Sequence, residues 1–181
     1  MKTYITADLH FGHKNIMTFC PVTRERFRGD VAYMNEAMIK EWNDIVEPTD
    51  TVYILGDVAF MSGYDAALVM MRLNGIKILI EGNHDRKTLM DVNFRNQFKE
   101  VHKYLDIQYN GNNIVLFHYP IAEWDRMHRG ALHFHGHLHG GESGLEEFRA
   151  MDVGMDATGY IVVEMEDAIA KALKGKIKGH H

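Results

Sequence analysis

Short apolar segments in the first half of the chain alternate with longer segments of helical periodicity. The apolar segments are rich in β-branched and aromatic residues, which pack well on a buried, pleated surface. They predict three strands, at residues 2–7, 51–55 and 76–80. After Asp30, a typical N-cap, apolar residues recur at spacings of three and four through residue 45 and predict an amphipathic helix. A second helix is predicted over residues 65–74, and residues 11–29 are predicted to form a loop.

The second half of the chain has the pattern of a hairpin followed by short strands. Asn110 and Gly111 separate two β-rich segments and form a typical hairpin turn. Strands are predicted at residues 101–109, 113–117, 131–135, 148–153 and 160–163. Residues 165–174, ended by Gly175, predict a terminal helix. Strands that alternate with helices, followed by a hairpin-rich half, predict an α/β fold with mixed sheets.

Composition indicates one globular domain. The chain has 181 residues, of which 46% are hydrophobic and 25% are charged, so a single domain over residues 1–178 is expected. Residues 179–181 end in His180 and His181 and are interpreted as the remnant of an expression tag. No apolar run approaches the ~18 residues of a membrane span or forms a signal-peptide core. We therefore expect a cytoplasmic protein without membrane contact, and the sequence does not predict its oligomeric state.

Charge and side-chain chemistry narrow the possible functions. Cys20 is the only cysteine, which excludes an internal disulfide and a cysteine-based zinc site. The net charge of -5 lacks the basic excess of proteins that bind long nucleic acid, so a small substrate is expected. Histidine is abundant, with twelve residues. Several stand beside Asp, Asn or Gly at the ends of apolar segments, where imidazole and carboxylate groups can converge on a metal ion.

Candidate ligands follow five of the predicted strands. Because open α/β sheets place their active sites at the carboxyl ends of strands, we expect these side chains to converge. Each motif alone also arises from ordinary turn chemistry, but the ordered set does not. The motifs are Asp8-Leu9-His10, Gly56-Asp57, Gly82-Asn83-His84-Asp85, His118 and Gly136-His137-Leu138-His139.

This ordered set, from Asp8 to His139, resembles the five signature blocks of the calcineurin-like metallophosphoesterases. The resemblance implies two packed mixed β-sheets flanked by helices, in a four-layer sandwich, with two divalent metal ions at the strand ends. Manganese is the expected metal, and iron, zinc, cobalt and nickel suit the same mixture of ligands. The implied ligands are Asp8, His10 and His139 for the first ion, Asn83, His118 and His137 for the second, and Asp57 as the bridge between them.

The resemblance also implies roles for residues around the ligands. A hydroxide shared by the two ions would attack phosphorus, and His84 would protonate the leaving group as general acid. Asp85 either orients His84 or caps the turn, and the sequence leaves both alternatives open. Among Arg24, Arg26 and Arg28, Arg26 is preferred as a phosphate ligand, although the three arginines also fit solvated surface charges.

The resemblance is strongest to small stand-alone bacterial or phage phosphoesterases. Ser/Thr protein phosphatases of the family continue the second block with Asp-Arg-Gly and place glutamate after the third-block histidine. Here residues 58–60 are Val-Ala-Phe, and Asp85 follows His84. We therefore expect a phosphodiesterase that acts on a nucleotide or another small phosphodiester. The alternatives are a phosphomonoesterase, a nuclease that processes nucleic-acid ends, and a non-catalytic scaffold on the same fold.

Overall fold

The computed structural model describes residues 1–179, which form two β-sheets and a set of mostly short helices. The strands are β1 Thr3–Thr6, β2 Thr51–Ile54, β3 Ile76–Ile80, β4 Glu100–His102, β5 Tyr104–Tyr109, β6 Asn112–Phe117, β7 Leu132–His135, β8 Ala150–Asp152 and β9 Val163–Glu164. The α-helices are α1 Ile16–Phe19, α2 Pro21–Arg24, α3 Val31–Ile45, α4 Gly63–Met71, α5 Asp85–Thr88, α6 Val92–Arg95, α7 Met155–Thr158 and α8 Met165–Ala172. Two 3-10 turns are Glu25–Phe27 and Met127–Arg129.

Both sheets are mixed, as the sequence predicts. The first has the strand order β4-β3-β2-β1-β9, in which β1 to β4 pair in parallel and β9 is antiparallel to β1. The second has the order β5-β6-β7-β8, with an antiparallel β5–β6 hairpin and parallel pairing from β6 to β8. This architecture confirms the predicted α/β fold of two mixed sheets flanked by helices.

Alternating side chains of the central strands fill two different cores. Tyr4 and Val52 pack into the core that the first sheet shares with α3 and α4. Ile5 and Leu55 point the other way, into the core between the two sheets, where α8 also packs. Successive residues of a strand face opposite sides of the sheet, so strands buried on both sides are apolar at almost every position. A third, smaller core around Trp124 covers the second sheet with loops and a 3-10 turn.

Several predicted elements differ from the structure. Residues 11–29 are not a simple loop, because α1, α2 and a 3-10 turn lie there, each too short to show a helical period. Helix α4 begins earlier than predicted, because the Ser62 hydroxyl accepts a hydrogen bond from the Asp65 amide at 3.1 Å and caps its N-terminus. Of the strand predicted at residues 160–163, only Val163 lies in a strand, the two-residue β9.

The strand predicted at residues 101–109 is divided between the sheets. Its first part, β4, pairs in parallel with β3, whereas β5 begins after Lys103 and pairs with β6. Helices α5 and α6 were not predicted at all. Among residues 1–179, no helix combines the length and apolar character needed to cross a lipid bilayer. His180 and His181, the predicted tag remnant, lie outside the described residues.

Candidate metal centre

Five of the predicted ligands have a left-handed backbone conformation. Non-glycine residues rarely adopt positive φ, which costs about 1–2 kcal/mol each and persists only where the surrounding structure enforces it. Such strain clusters at functional sites, and here it turns the chain sharply after β1, β2 and β7. The five residues and their φ angles are Asp8 (57°), His10 (52°), Asp57 (54°), His137 (74°) and His139 (50°).

The loops after β1 and β2 stay hydrogen bonded beyond the ends of these strands. In the loop after β1, the Asp8 amide donates to the Gly56 carbonyl and the His10 amide donates to the Asp57 carbonyl, both at 3.0 Å. Phe11 continues the series with a 3.0 Å bond to the Val58 carbonyl. The parallel register of the sheet is therefore carried into the loops, which places the first two motifs side by side.

Asp85 joins the loop after β2 to the loop after β3. Its buried carboxylate accepts hydrogen bonds from the amides of Asp57 and Gly82, both at 2.8 Å, and of Val58 at 2.9 Å. Burial raises the pKa of Asp85, and the three backbone hydrogen bonds oppose that shift. Since these contacts use the carboxylate to hold backbone, the structure supports the turn-holding alternative for Asp85 and not the orientation of His84.

The first predicted ligand set converges at the end of β1. One ligand atom from each of Asp8, His10 and His139 lies within 4.8 Å of the others. Asp8 and His10 are buried, and within residues 1–179 neither Asp8 Oδ1 nor His10 Nε2 has a hydrogen-bond partner. Buried polar atoms without partners are costly, so two of them together fit a cation that both would bind.

The pKa shifts of Asp8 and His10 are also consistent with a bound metal ion. Burial raises the pKa of Asp8 well above its usual range and lowers that of His10 to about 2. His10 is therefore a neutral imidazole, which is the form that coordinates metal ions. A divalent cation beside Asp8 would favour its carboxylate and offset the burial that raises its pKa.

The second ligand set lies beside the first. Ligand atoms of Asp57, His118 and His137 are within 4.8 Å of one another. His118 Nδ1 lies 2.7 Å from the Leu55 carbonyl, to which it donates, so Nε2 is the ring nitrogen left to bind a metal. That Nε2 lies 2.9 Å from Oδ1 of Asn83, which also carries lone pairs. The structure thus brings together the four residues predicted at the second position.

Asp57 stands between the two sets. Its Oδ2 lies 3.7 Å from His10 Nε2, whereas its Oδ1 lies 3.7 Å from His118 Nε2. Each oxygen of one carboxylate therefore faces a different set of ligands. His84 flanks the same carboxylate, with Nε2 at 3.9 Å from Oδ2, and its side chain is 45% exposed. This arrangement can hold two cations with Asp57 between them and leaves His84 open to a bound molecule.

Sequence reasoning missed the residues that hold His139. The Nδ1 of His139 donates to Asp156 Oδ2 at 2.8 Å, and Arg24 forms a two-pronged ion pair with the same carboxylate at 2.8 and 2.9 Å. Arg24 also donates to the carbonyls of Asp8 at 2.6 Å and Leu9 at 2.9 Å. It is fully buried, so its alternative interpretation as a solvated charge is wrong.

The positive charge of Arg24 stabilises the buried carboxylate of Asp156. Burial alone would raise the pKa of Asp156, but hydrogen bonds from His139 and Arg24 outweigh it and hold the pKa below its usual range. For His139, burial would lower the pKa, but the hydrogen bond to Asp156 and the charge of Asp8 raise it. With Nδ1 bound to Asp156, the Nε2 of His139 is the nitrogen available to a metal.

Arg26 is not part of the site. Its guanidinium donates to both carboxylate oxygens of Glu41, at 2.7 and 2.9 Å, on the protein surface. The same group lies over the Phe27 ring, 4.6 Å from its centroid. Because the guanidinium is already occupied by a carboxylate, the structure does not support the predicted phosphate contact.

Phe60 packs against three histidines of the site, a role that was not predicted from the sequence. Its ring stacks on His13 with centroids 4.0 Å apart and lies 4.4 Å from the ring of His84. His10 lies on the same ring at 5.2 Å. His13 Nδ1 is also 3.3 Å from His10 Nδ1. The packing of Phe60 therefore limits the positions of both a ligand and the exposed His84.

A two-sheet α/β fold with adjacent His/Asp ligand sets at its strand ends is typical of hydrolases that use two metal ions. The family model of the calcineurin-like phosphoesterases matches residues 1–157. The chain therefore belongs to the calcineurin-like phosphoesterase family, whose general activity is metal-dependent hydrolysis of phosphoesters.

Similar proteins are found in archaea, phages and bacteria. An uncharacterized protein of Methanocaldococcus jannaschii is 30% identical, over 97% of this chain and 94% of its own length. The Gene 66 protein of Mycobacterium phage L5 is 29% identical, over 89% of each chain. A crystal structure of a protein of unknown function from Aquifex aeolicus superposes with a TM-score of 0.72 at 23% identity, covering 92% of this chain and 96% of that one. The last similarity supports the fold.

We expect Asp156→Asn to lower the free energy of unfolding of the metal-free protein by about 3–5 kcal/mol at pH 7, because it leaves the buried Arg24 charge uncompensated. Urea unfolding after chelation measures this loss. Glu36→Gln is the matched control, since the Glu36–Arg72 pair has the same two-pronged geometry on the exposed surface and should matter much less. Equal losses in the two variants would contradict the structural role of Asp156.

The loss should also depend on pH. Because the folded-state pKa of Asp156 is depressed, its contribution to stability is present above the unfolded pKa of about 3.9. It is lost as the pH falls from there through the folded-state pKa. Wild type and Asp156→Asn should therefore begin to converge in stability as the pH falls below about 4. A difference that stays constant from pH 7 to pH 3 would show that the carboxylate charge is not responsible.

Proposed function

We propose that this protein is a phosphodiesterase that hydrolyses a nucleotide or another small phosphodiester with two divalent metal ions. Membership of the phosphoesterase family supports hydrolysis of phosphoesters in general. The proposal of two metal ions rests on the position of Asp57. One of its carboxylate oxygens faces each ligand set, and His84 lies beside it. Cytoplasmic location and a small rather than polymeric substrate stay predictions from sequence.

The ligand sets fit two divalent ions. The two buried atoms without partners, Asp8 Oδ1 and His10 Nε2, belong to the first set. Imidazole, carboxylate and amide ligands suit manganese, iron, zinc, cobalt or nickel, and we propose manganese. When bound, two such ions supply charge that stabilises the phosphoryl oxygens and lower the pKa of the attacking water. Asp8 and Asp57 neutralise only half of the added charge, so the site attracts an anion.

His84 is the proposed general acid. Its backbone amide donates to Asp57 Oδ1 at 3.0 Å, which fixes the residue at the rim of the site. Phe60 packs against the ring, and the side chain remains 45% exposed. An imidazole in this position can give the proton on Nε2 to the oxygen of the departing alcohol.

The pairing of Arg24 and Arg26 favours a diester over a monoester at the reacting phosphate. A monoester carries more negative charge on its reacting phosphate, which additional fixed cations would stabilise. Arg24 and Arg26 of the first loop do not supply them, because Arg24 is buried against Asp156 and Arg26 is paired with Glu41. A diester phosphate carries one negative charge and needs fewer cations.

Asp57→Asn is expected to reduce the bound metal to well below two ions per chain, because Asp57 faces both ligand sets. Activity should fall more than for any other single ligand change. Elemental analysis and thermal unfolding measure metal content and folding separately. Asp44→Asn, which changes an exposed carboxylate of α3, is the control and should retain full metal content. Two full equivalents of metal in an active Asp57→Asn protein would refute the bridging role.

His84→Ala should keep both metal ions and lose activity by about 10²- to 10⁴-fold for substrates with a poor leaving group. The loss should shrink for nitrophenolate, which needs little protonation when it leaves. Rates for a series of aryl and alkyl phosphodiesters measure this dependence. His102→Ala serves as control, since His102 lies on β4 and pairs with Glu100. A loss that is the same for all leaving groups would rule out the general-acid role.

The direct test of substrate class compares bis(p-nitrophenyl) phosphate with p-nitrophenyl phosphate on the manganese-loaded enzyme at one pH. We expect kcat/KM to be at least about tenfold higher for the diester, which corresponds to ~1.4 kcal/mol of transition-state stabilisation. A tenfold preference for the monoester would identify a phosphomonoesterase. Hydrolysis of neither substrate with any of the five metals would favour the non-catalytic scaffold.

A further inference from the structure

A cleft of about 490 Å³ opens beside His84, and its function is not explained by the metal ligands. We call it the α5 cleft, because residues of α5 line it together with Phe60, Met61 and Met90. Asn83 and His84 form its boundary with the metal centre. A group that enters the α5 cleft therefore lies on the side of the site from which His84 would protonate the leaving alcohol.

Two cations of α5 face this cleft. Asp85 and Thr88 are the buried residues of the helix, so Arg86 and Lys87 lie on its exposed side, where both line the α5 cleft. Within residues 1–179, the structure gives neither side chain an ion-pair partner. Arg26, Arg72 and Arg126, in contrast, are paired with surface carboxylates. Two adjacent unpaired cations in a protein of net charge -5 are a favourable position for an anion.

Apolar side chains also line the α5 cleft. Phe60 is 36% exposed and Met90 is 85% exposed, which leaves large apolar surfaces available to a ligand. Aromatic and methionine side chains bind flat, polarisable groups such as nucleobases. The α5 cleft thus combines a surface suited to a base with two cations suited to a phosphate.

We propose that the α5 cleft binds the departing half of the substrate, and that this half is a nucleotide with a second phosphate held by Arg86 and Lys87. The proposal rests on the phosphodiesterase function proposed above. In the reaction, a water molecule loses a proton to the solvent while its oxygen bonds to phosphorus, and the bond from phosphorus to the departing nucleoside oxygen breaks. That oxygen keeps the electron pair and takes the proton from His84. The second phosphate remains uncleaved and positions the leaving nucleotide.

The test uses three dinucleotides: thymidylyl-thymidine without a terminal phosphate, with a 5′-terminal phosphate, and with a 3′-terminal phosphate. Manganese-loaded enzyme is assayed at low ionic strength, and chromatography of the products identifies which nucleoside leaves. A phosphate on the leaving nucleoside is expected to raise kcat/KM about tenfold, the effect of one charged hydrogen-bonded contact. A phosphate on the other nucleoside should have much less effect. The gain should decrease with added salt, because exposed charges are screened.

The double variant Arg86→Gln/Lys87→Gln should abolish this gain, so that kcat/KM is about the same with and without the phosphate on the leaving nucleoside. Arg129→Gln/Lys174→Gln removes the same charge outside the α5 cleft and should retain the tenfold gain. Calorimetry provides a second measurement: thymidine 3′,5′-bisphosphate should bind the loaded wild type about tenfold more tightly than thymidine 5′-phosphate, and the α5 variant should lose this difference.

The outcomes distinguish the two proposals. If bis(p-nitrophenyl) phosphate is cleaved but the terminal phosphate gives no gain, the inference about the α5 cleft is wrong and the phosphodiesterase function stands. A gain that persists in Arg86→Gln/Lys87→Gln, or one produced by a phosphate on the nucleoside that does not leave, also overturns it. If no diester is cleaved with any metal, the proposed function fails and the inference fails with it.

Discussion

The close approach of the loops after β2 and β3 is the constraint on which the metal centre depends. A Cβ added at Gly56 would lie 2.5 Å from the Gly82 Cα, and one added at Gly82 would lie 2.5 Å from the Asp57 amide nitrogen. Gly56 also has φ +85°, so other residues are disfavoured there on two grounds. This contact lets one carboxylate, that of Asp85, hold the backbone of both loops, and it thereby sets where Asp57 and Asn83 stand.

Once the loops are fixed, electrostatics determines what the site can bind. Imidazoles and carboxylates crowd together at the strand ends, and two of their buried atoms have no partner within residues 1–179. The positive charge of Arg24 is directed away from the ligand atoms, towards Asp156 and the carbonyls of Asp8 and Leu9. The guanidinium of Arg24 therefore does not contact the atoms that would bind a metal ion. Arg86 and Lys87 lie farther out, where they line the α5 cleft.

The parts of this arrangement that sequence could predict are those encoded locally. The central strands are short and apolar because both of their faces are buried, and each ends in a recognisable motif. The contact between Arg24 and Asp156 is not visible in this way, because the two residues are 132 positions apart and neither belongs to a motif. The role of Asp85 and the pairing of Arg26 with Glu41 could not be predicted either, because both depend on contacts with other parts of the fold. Which partner a charged side chain finds depends on tertiary packing, and so does the change of sheet after Lys103.

The most direct test of a two-metal centre is anomalous diffraction from crystals of the manganese-loaded protein. We expect two strong peaks, one among Asp8, His10 and His139 and the other among Asn83, His118 and His137. Both peaks should contact Asp57, as expected of a two-metal site with ions ~3.5–4 Å apart. A single peak, or two peaks that do not share Asp57, would contradict the proposed centre.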